Sequence, residues 1–278
     1  MYAEFFIRTE IMQGKTILVT GSTDGIGKQT ALELARMGAH VLVHGRNTDR
    51  AKAAADEIAS KTGAVVSFVT GDYASLAQVR QLAEDILSRV NRLDVLINNA
   101  GVFMTERRLT EDGFEMSWQI NHLAPYLLTS LLVERLEASR PARVVSVASM
   151  THAYARLDYE NLQGEKEFKP SRAYSLAKLG NVMATFYLAE KLAGTGVTVN
   201  CLHPGVVDTK LLRAGYSIEG TSVENGARTS VFLASSPEVE GVTGKYFDDR
   251  KEAAASPMAL DAAERQRFMD VTNKMLGL

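Results

Sequence analysis

Hydrophobic positions in this chain follow two rhythms, short continuous runs and stretches of helical spacing, and the two alternate along almost the whole length. Thr16–Thr20 is a run of apolar and β-branched residues that predicts a first buried strand; Ala31, Leu34 and Ala35 then recur at helical spacing up to a stop at Gly38. Val41–Val43 predicts a second strand, the alanine-rich Ala51–Lys61 a helix, and the run from Ala64 a third strand closing on Gly71-Asp72. Leu76, Val79, Ala83 and Ile86 or Leu87 mark the buried face of the next helix, and Leu93–Ile97 is a fourth strand. Met116–Leu136 reads as a helix packed on the sheet but disturbed twice, because Asn121 is a poor helix-interior residue and Pro125 lacks a backbone donor and predicts a kink. Ala142–Ser149 is the fifth strand. The charge-rich Tyr159–Arg172 is longer than a strand-to-helix connection needs and is expected to lie over the site. A long helix carrying Tyr174 and Lys178 follows, then a sixth strand from Val197 and a glycine-containing stretch, Val206–Ser222, expected to act as a lid. A helix over Glu224–Ala234, a last short strand over Gly244–Phe247 and a terminal helix over Leu260–Leu276 complete the pattern. Such an order implies an α/β fold, a doubly wound parallel sheet of about seven strands with helices on both faces.

The strand ends carry the chemistry. Gly21, Gly25 and Gly27 sit between the first strand and its helix, where side chains would block the turn. The helix N-terminus offers unpaired N–H groups and the positive end of a dipole, which suits a pyrophosphate, as in a Rossmann-type single domain. The spacing Gly-x-x-x-Gly-x-Gly is not the commoner G-x-G-x-x-G, and three glycines easing an ordinary turn is the competing reading. At the end of the second strand, where an NAD site places a carboxylate for the ribose hydroxyls, the chain has His44, Gly45 and Arg46, with Asp49 too far along. Arg46 either clamps a 2′-phosphate in its guanidinium fork or is a solvated turn arginine. Asp72 is placed to accept from an adenine amino group, to cap the next helix beside Ser75, or to do both. Asn98-Asn99-Ala100-Gly101 breaks the fourth strand with a turn suited to backbone contact with a cofactor. Asn121 is either a core asparagine bonded to the backbone or part of a site.

Lys and Arg total 31 against 33 for Asp and Glu, a balance that points to a small-molecule partner and away from nucleic acid. Cys201 is the only cysteine, so no disulfide can form within the chain and no cysteine-rich metal site is possible; a reducing cytoplasm fits. No apolar run reaches the ~20 residues of a bilayer span, and Met1–Gln13 carries Glu4, Arg8 and Glu10, unlike a signal peptide. Residues 1–13 read as an extension, with Met12 as an alternative start, and residues 14–278 as one domain without a linker.

Taken together, TGSTDGIG from Thr20, NNAG from Asn98, the strand-end Ser149, YSLAK from Tyr174 and HPG from His203 resemble the motifs of the short-chain dehydrogenase/reductase family, over nearly the whole chain. DGFEMSWQINHLAPYLLT, the pair Ser149-x-x-His152, the spacing of 25 residues from Ser149 to Tyr174 and the tail SPMALD are similar to its retinol-dehydrogenase-like branch. Two departures stand out: Ala148 where many relatives carry a second serine, and Ala124-Pro125 where the branch has glycine and no proline. The resemblance implies an oxidoreductase that moves a hydride between a nicotinamide and a carbinol carbon. Tyr174 would be the acid/base, Ser149 the group holding the substrate oxygen, Lys178 the ribose-binding cation and Asn121 a water-linked proton relay. It further implies a cofactor held by Gly21, Ser22, Asp24, Gly25, Ile26, Gly27, Arg46, Asp72, Tyr73, Asn99, Ala100, Gly101, Tyr174, Lys178, Pro204, Gly205, Val207 and Thr209, with no metal. NADP(H) is the expected preference from Arg46, with NAD(H) possible. To act as a base near neutral pH, Tyr174 must ionise well below its usual ~10, and Lys178 together with the oxidised nicotinamide is expected to supply the charge for this. Phe103, Met104, Met150, Tyr154, Val206, Leu211, Leu212 and Tyr216 are expected to ring a lipophilic carbonyl or alcohol, unless Lys210 or Arg213 turns inward to meet an anion. The alternative is a nucleotide-binding regulatory or scaffold protein that has lost turnover. The chain beyond Phe247 is expected to cover the sheet edge, which favours a monomer or homodimer over a tetramer.

Overall fold

The computed structural model describes residues 11–278. Most of the segment read as an extension lies outside the described residues; of its last three, Met12 is buried and donates its N–H to Met37 O at 2.9 Å. The chain then runs β1 (Thr16–Val19), α1 (Gly25–Arg36), β2 (His40–Gly45), α2 (Thr48–Thr62), β3 (Val66–Thr70), α3 (Leu76–Arg89) and β4 (Val95–Asn98). It continues through α4 (Met116–Trp118), α5 (Ala124–Ala138), β5 (Ala142–Val147), α6 (Pro170–Lys191), β6 (Val197–His203), α7 (Lys210–Gly215) and α8 (Val223–Ser235). The hairpin β7 (Lys245–Asp248) and β8 (Lys251–Ala253) precedes the short α9 (Pro257–Leu260) and the terminal α10 (Ala262–Leu276).

One sheet holds all eight strands in the order β3-β2-β1-β4-β5-β6-β7-β8, parallel except for β7–β8. Each central strand is apolar on both faces because helices cover both. Ile17, Val19, Val41, Val43, Val95 and Ile97 pack toward α1, α2 and α8. The alternate residues Leu18, Leu42 and Leu96 pack toward α3, α5 and α6. The strand order reverses between β1 and β4, and the crevice outside their carboxyl ends is where the turn after β1 faces the turn after β4.

Three expectations are corrected. The sheet has eight strands, because Asp249 and Arg250, both at positive φ, fold β8 back onto the edge of β7. The helix expected over Met116–Leu136 is interrupted by a π-helical turn at Gln119–Leu123, in which Ala124 N–H reaches back to Gln119 O; Pro125, which has no N–H to give, sits where that turn passes into α5. No residue of the Tyr159–Arg172 loop lines either cavity of the site. Its Gln163 accepts from Arg107 Nε (2.9 Å) and Glu115 N–H (3.0 Å), and its Tyr159 hydroxyl bonds Glu264 of α10.

Candidate active site

A groove of about 700 Å³ runs along the carboxyl edge of β1–β3. It meets a smaller cavity of about 220 Å³ beside β5 and β6, and Ile26, Asn99, Gly101, Thr209 and Leu211 line both. The groove begins at the glycine turn. Gly21 has φ +62° and its Cα lies so close to Ala100 that a Cβ would sit 2.7 Å from Ala100 Cα. Gly27 is excluded from bearing a side chain by Asn99 Nδ2 and Gly21 O, 2.3 and 2.5 Å from where its Cβ would be. Asn99 therefore acts on the turn itself, donating to Thr20 O (2.8 Å) and Gly21 O (3.2 Å), while Thr20 Oγ1 accepts from Asn99 and Ala100 N–H. The result is a bare α1 N-terminus facing open space, a cradle of the shape and polarity a dinucleotide pyrophosphate requires. Asp24 caps α1 through Gly25 N–H (2.9 Å) and is ion-paired to Lys210 of α7.

Arg46 and Asp72 both line the adenosine end. Arg46 is exposed and makes no ion pair among the described residues. Asp72 Oδ1 accepts from Ala74 N–H at 3.0 Å while Ser75 caps α3, so the capping role falls to the serine. Tyr73 is buried beneath, stacked on His44 with ring centroids 5.2 Å apart.

Ser149, Tyr174, Lys178, Pro204, Gly205 and Val207 line the smaller cavity. Ser149 Oγ accepts from Thr151 N–H (3.2 Å) and Thr151 Oγ1 (3.1 Å), which leaves its own hydrogen free to donate. Lys178 Nζ donates to Val147 O (2.8 Å) and stands 5.6 Å from the Tyr174 ring centroid. Burial pushes the lysine down to about 8. Burial also pushes the Tyr174 phenol up, with Tyr216 adding to the rise and the nearby Ser149 hydroxyl opposing it. The Lys178 ammonium bonds a backbone carbonyl, not the phenol, so desolvation sets the direction for Tyr174.

A profile of the short chain dehydrogenase family matches residues 15–220. The chain belongs to the short-chain dehydrogenase/reductase family. Human retinol dehydrogenase 14 is 41% identical, covering 96% of this chain and 88% of its own, and human retinol dehydrogenase 13 is 39% identical over 95% and 85%. Among solved structures, an uncharacterised protein from Mycobacterium paratuberculosis superposes with a TM-score of 0.80 at 30% identity, covering 95% of this chain and 94% of that one. A short chain dehydrogenase from Burkholderia cenocepacia in complex with NADP gives 0.71 at 26%, covering 86% and 97%. This dehydrogenase/reductase is retinol-dehydrogenase-like, an oxidoreductase acting on CH–OH groups with a nicotinamide dinucleotide.

Several residues of this short-chain dehydrogenase lie elsewhere than the sequence reading put them. Ser22 does not face the groove; it is fully buried, its hydroxyl donating to Val19 O (2.6 Å) and accepting from His44 N–H (3.0 Å). Asn121 lines neither cavity but sits behind Gly101, where its amide pairs both ways with Val102 (2.8 and 3.0 Å) and donates to Ser117 O (2.8 Å). Its side chain pins the turn after β4 to the π-helical segment. Met150, Val206, Leu211, Leu212 and Tyr216 line the smaller cavity, whereas Phe103, Met104 and Tyr154 do not. Lys210 and Arg213 face the groove instead, held by Asp24 and Asp208. His44 had no recognised role in the sequence, yet its Nδ1 accepts from Gly21 N–H (3.2 Å) and its Nε2–H donates to Gly71 O (3.0 Å), tying the glycine turn to the end of β3. A histidine next to last in β2, two residues before Arg46, was the available signal. His152 similarly donates from Nδ1 to Ser149 O (2.7 Å) and accepts from Ser256 N–H (3.1 Å), fixing the backbone of the strand-end serine.

Proposed function

We propose that this enzyme interconverts a carbonyl and an alcohol on a lipophilic small molecule, with Ser149, Tyr174 and Lys178 as its working side chains and NADP(H) as its preferred cofactor. The observation that carries the reading is that these three groups line one apolar cavity which opens into the dinucleotide groove through five shared residues. The groove residues would hold a nicotinamide dinucleotide, which when bound would supply the hydride for reduction and receive it in oxidation. Ser149 donates its free hydrogen to the substrate oxygen and steadies the charge that develops there. Tyr174, kept protonated by burial, gives its proton to that oxygen in reduction and takes one back from the alcohol in oxidation. Lys178, near enough to neutrality to stay largely charged, offsets the resulting phenolate across the short distance between them. Asn121 acts by holding the Gly101-Val102 turn against these groups, and a water-linked proton path behind Lys178 would pass beside it.

Arg46 at the adenosine end, with no carboxylate at the end of β2, supports the preference for NADP(H). A bidentate charged contact to a 2′-phosphate is worth roughly 1.5–3 kcal/mol, or about ten- to a hundredfold in discrimination. Arg46→Ala should therefore lower kcat/KM for NADP(H) by about that factor and leave NAD(H) nearly unchanged. A ratio unaffected by the substitution would remove the arginine from this role.

The cavity wall favours apolar substrates, because Lys178 at the reacting end is the only lysine or arginine among its described lining residues and both loop cations are held in the groove. Each methylene buried there is worth about 0.8 kcal/mol, roughly a fourfold gain. Across a homologous series of aldehydes, kcat/KM should climb by up to that factor per carbon until the cavity fills, and ω-carboxylation should cancel the gain. Carboxylated members performing best would point to Lys210 or Arg213 turning inward.

A further inference from the structure

The stretch expected to act as a lid, Val206–Ser222, has a closed neck and an unusual seat. Asp208 N–H donates to Thr221 O (2.8 Å) and Thr221 N–H to Val206 O (2.7 Å), so the residues from 209 to 220 leave and rejoin the fold at one point, the shape of an Ω-loop. The tip carries α7, and the backbone at the end of α7 rests on Phe103, which follows the NNAG turn on the opposite wall. A Cβ at Gly215 would lie 2.9 Å from two atoms of the Phe103 ring. Gly215 is not among the glycines at positive φ, so close approach, not backbone conformation, is what asks for glycine there. The same ring packs against Tyr216 of the lid (centroids 5.5 Å, 59°) and against Tyr174 (5.5 Å, 49°). That placement also explains why Phe103 is absent from the cavity wall: its ring is filled by neighbours on the lid side and the catalytic side alike.

Resting on the reading of Tyr174 as the acid/base, we propose that Phe103 is the seat on which the lid closes, a positioning residue that sets lid and phenol in one register. With the lid down, Gly215 lies on the ring edge, Tyr216 completes the cavity wall, and the ring supports Tyr174. With the lid raised, Phe103 loses two of its three supports and Tyr174 loses a packing partner. Binding in the cavity and alignment of the phenol are thereby coupled through one side chain.

Gly215→Ala separates this coupling from local stability, because alanine is the better helix former and a purely local view expects a neutral or stabilising change. The seat instead requires kcat to fall at least tenfold. Trypsin, its cut sites assigned by mass spectrometry, should then cleave after the exposed Lys210 and Arg213 severalfold faster. Adding Phe103→Leu should make room for the methyl and bring both readouts back to within about threefold of the parent, although Phe103→Leu alone lowers kcat. Phe103→Ala, which removes the ring, should speed the same cleavages should Gly215→Ala not fold. A Gly215→Ala enzyme as active and as protease-resistant as the parent, or a double variant no better than the single one, would overturn the seat. The proteolytic arm needs no turnover, so it decides the seat even if Tyr174→Phe proves active and the reading of the site falls.

Discussion

Tyr174→Phe is expected to lower kcat by about 10²–10⁴, the usual worth of a positioned acid/base, while leaving dinucleotide affinity within a few-fold. Only the hydroxyl is lost. The ring keeps its burial in the cavity wall and its packing on Phe103, and phenylalanine needs no partner for a polar atom in that enclosed place. On the proposed reading, with the phenol raised by burial and Lys178 bonded to Val147 O, the wild-type residue should enter the reaction as an acid. Reduction of a carbonyl should consequently hold its rate from neutral pH downward to the limit of fold stability, and oxidation of the matching alcohol should accelerate as pH rises. Steady-state kinetics with dinucleotide binding by fluorescence would check both parts. Retention of most of the parent's kcat would show that the proton travels through another group.

Acidification should cost several kcal/mol of stability well before the carboxylates titrate. All five histidines, His40, His44, His122, His152 and His203, are held below the ordinary 6.5, in each case first by burial. His44 is pushed down to about 4 and His122 to about 3. A histidine depressed in the folded state binds its proton more readily when unfolded. Its contribution is therefore complete above 6.5 and is lost as pH falls toward the folded value. Between 6.5 and a pH of about 5, these two alone should remove about 2 kcal/mol each, a large share of the ~5–15 kcal/mol that holds a domain folded. Denaturant midpoints measured near neutrality and near pH 5 would show the loss, and replacing both histidines by asparagine should flatten the slope. His44 adds a functional consequence, since its protonation removes the acceptor for Gly21 N–H and loosens the dinucleotide turn. A midpoint constant over that range would contradict the assignment of both residues as buried neutral groups.

Local patterns revealed most of the architecture, because strands buried on both faces and glycine turns are written in consecutive residues. Thr16–Val19 with Gly21, Gly25 and Gly27, and Tyr174 with Lys178 four residues on, are of this kind. What stayed hidden depends on partners far away in sequence. Asn99 lines both cavities, as its turn suggested, but its own segment does not say that its amide also serves Thr20 and Gly21, some eighty positions earlier. Ser22 lies inside a motif whose neighbours face the groove, yet the strand-end geometry turns it inward to Val19 O. β8 escaped because Asp249-Arg250 is neither Asn-Gly nor Asp-Gly and three residues show no alternation. Phe103 was taken for cavity wall because nothing in its own segment says that Gly215 will approach its ring.

The most direct test mixes the purified protein with reduced NADP(H) and a medium-chain aldehyde and follows the nicotinamide absorbance beside the Tyr174→Phe variant. Expected is cofactor oxidation by the parent with stoichiometric formation of the alcohol, and none above background by the variant although it binds the dinucleotide. Tight dinucleotide binding by both proteins, with no turnover in either direction across a broad panel of carbonyls and alcohols, would contradict the proposed chemistry and leave a nucleotide-binding protein without turnover.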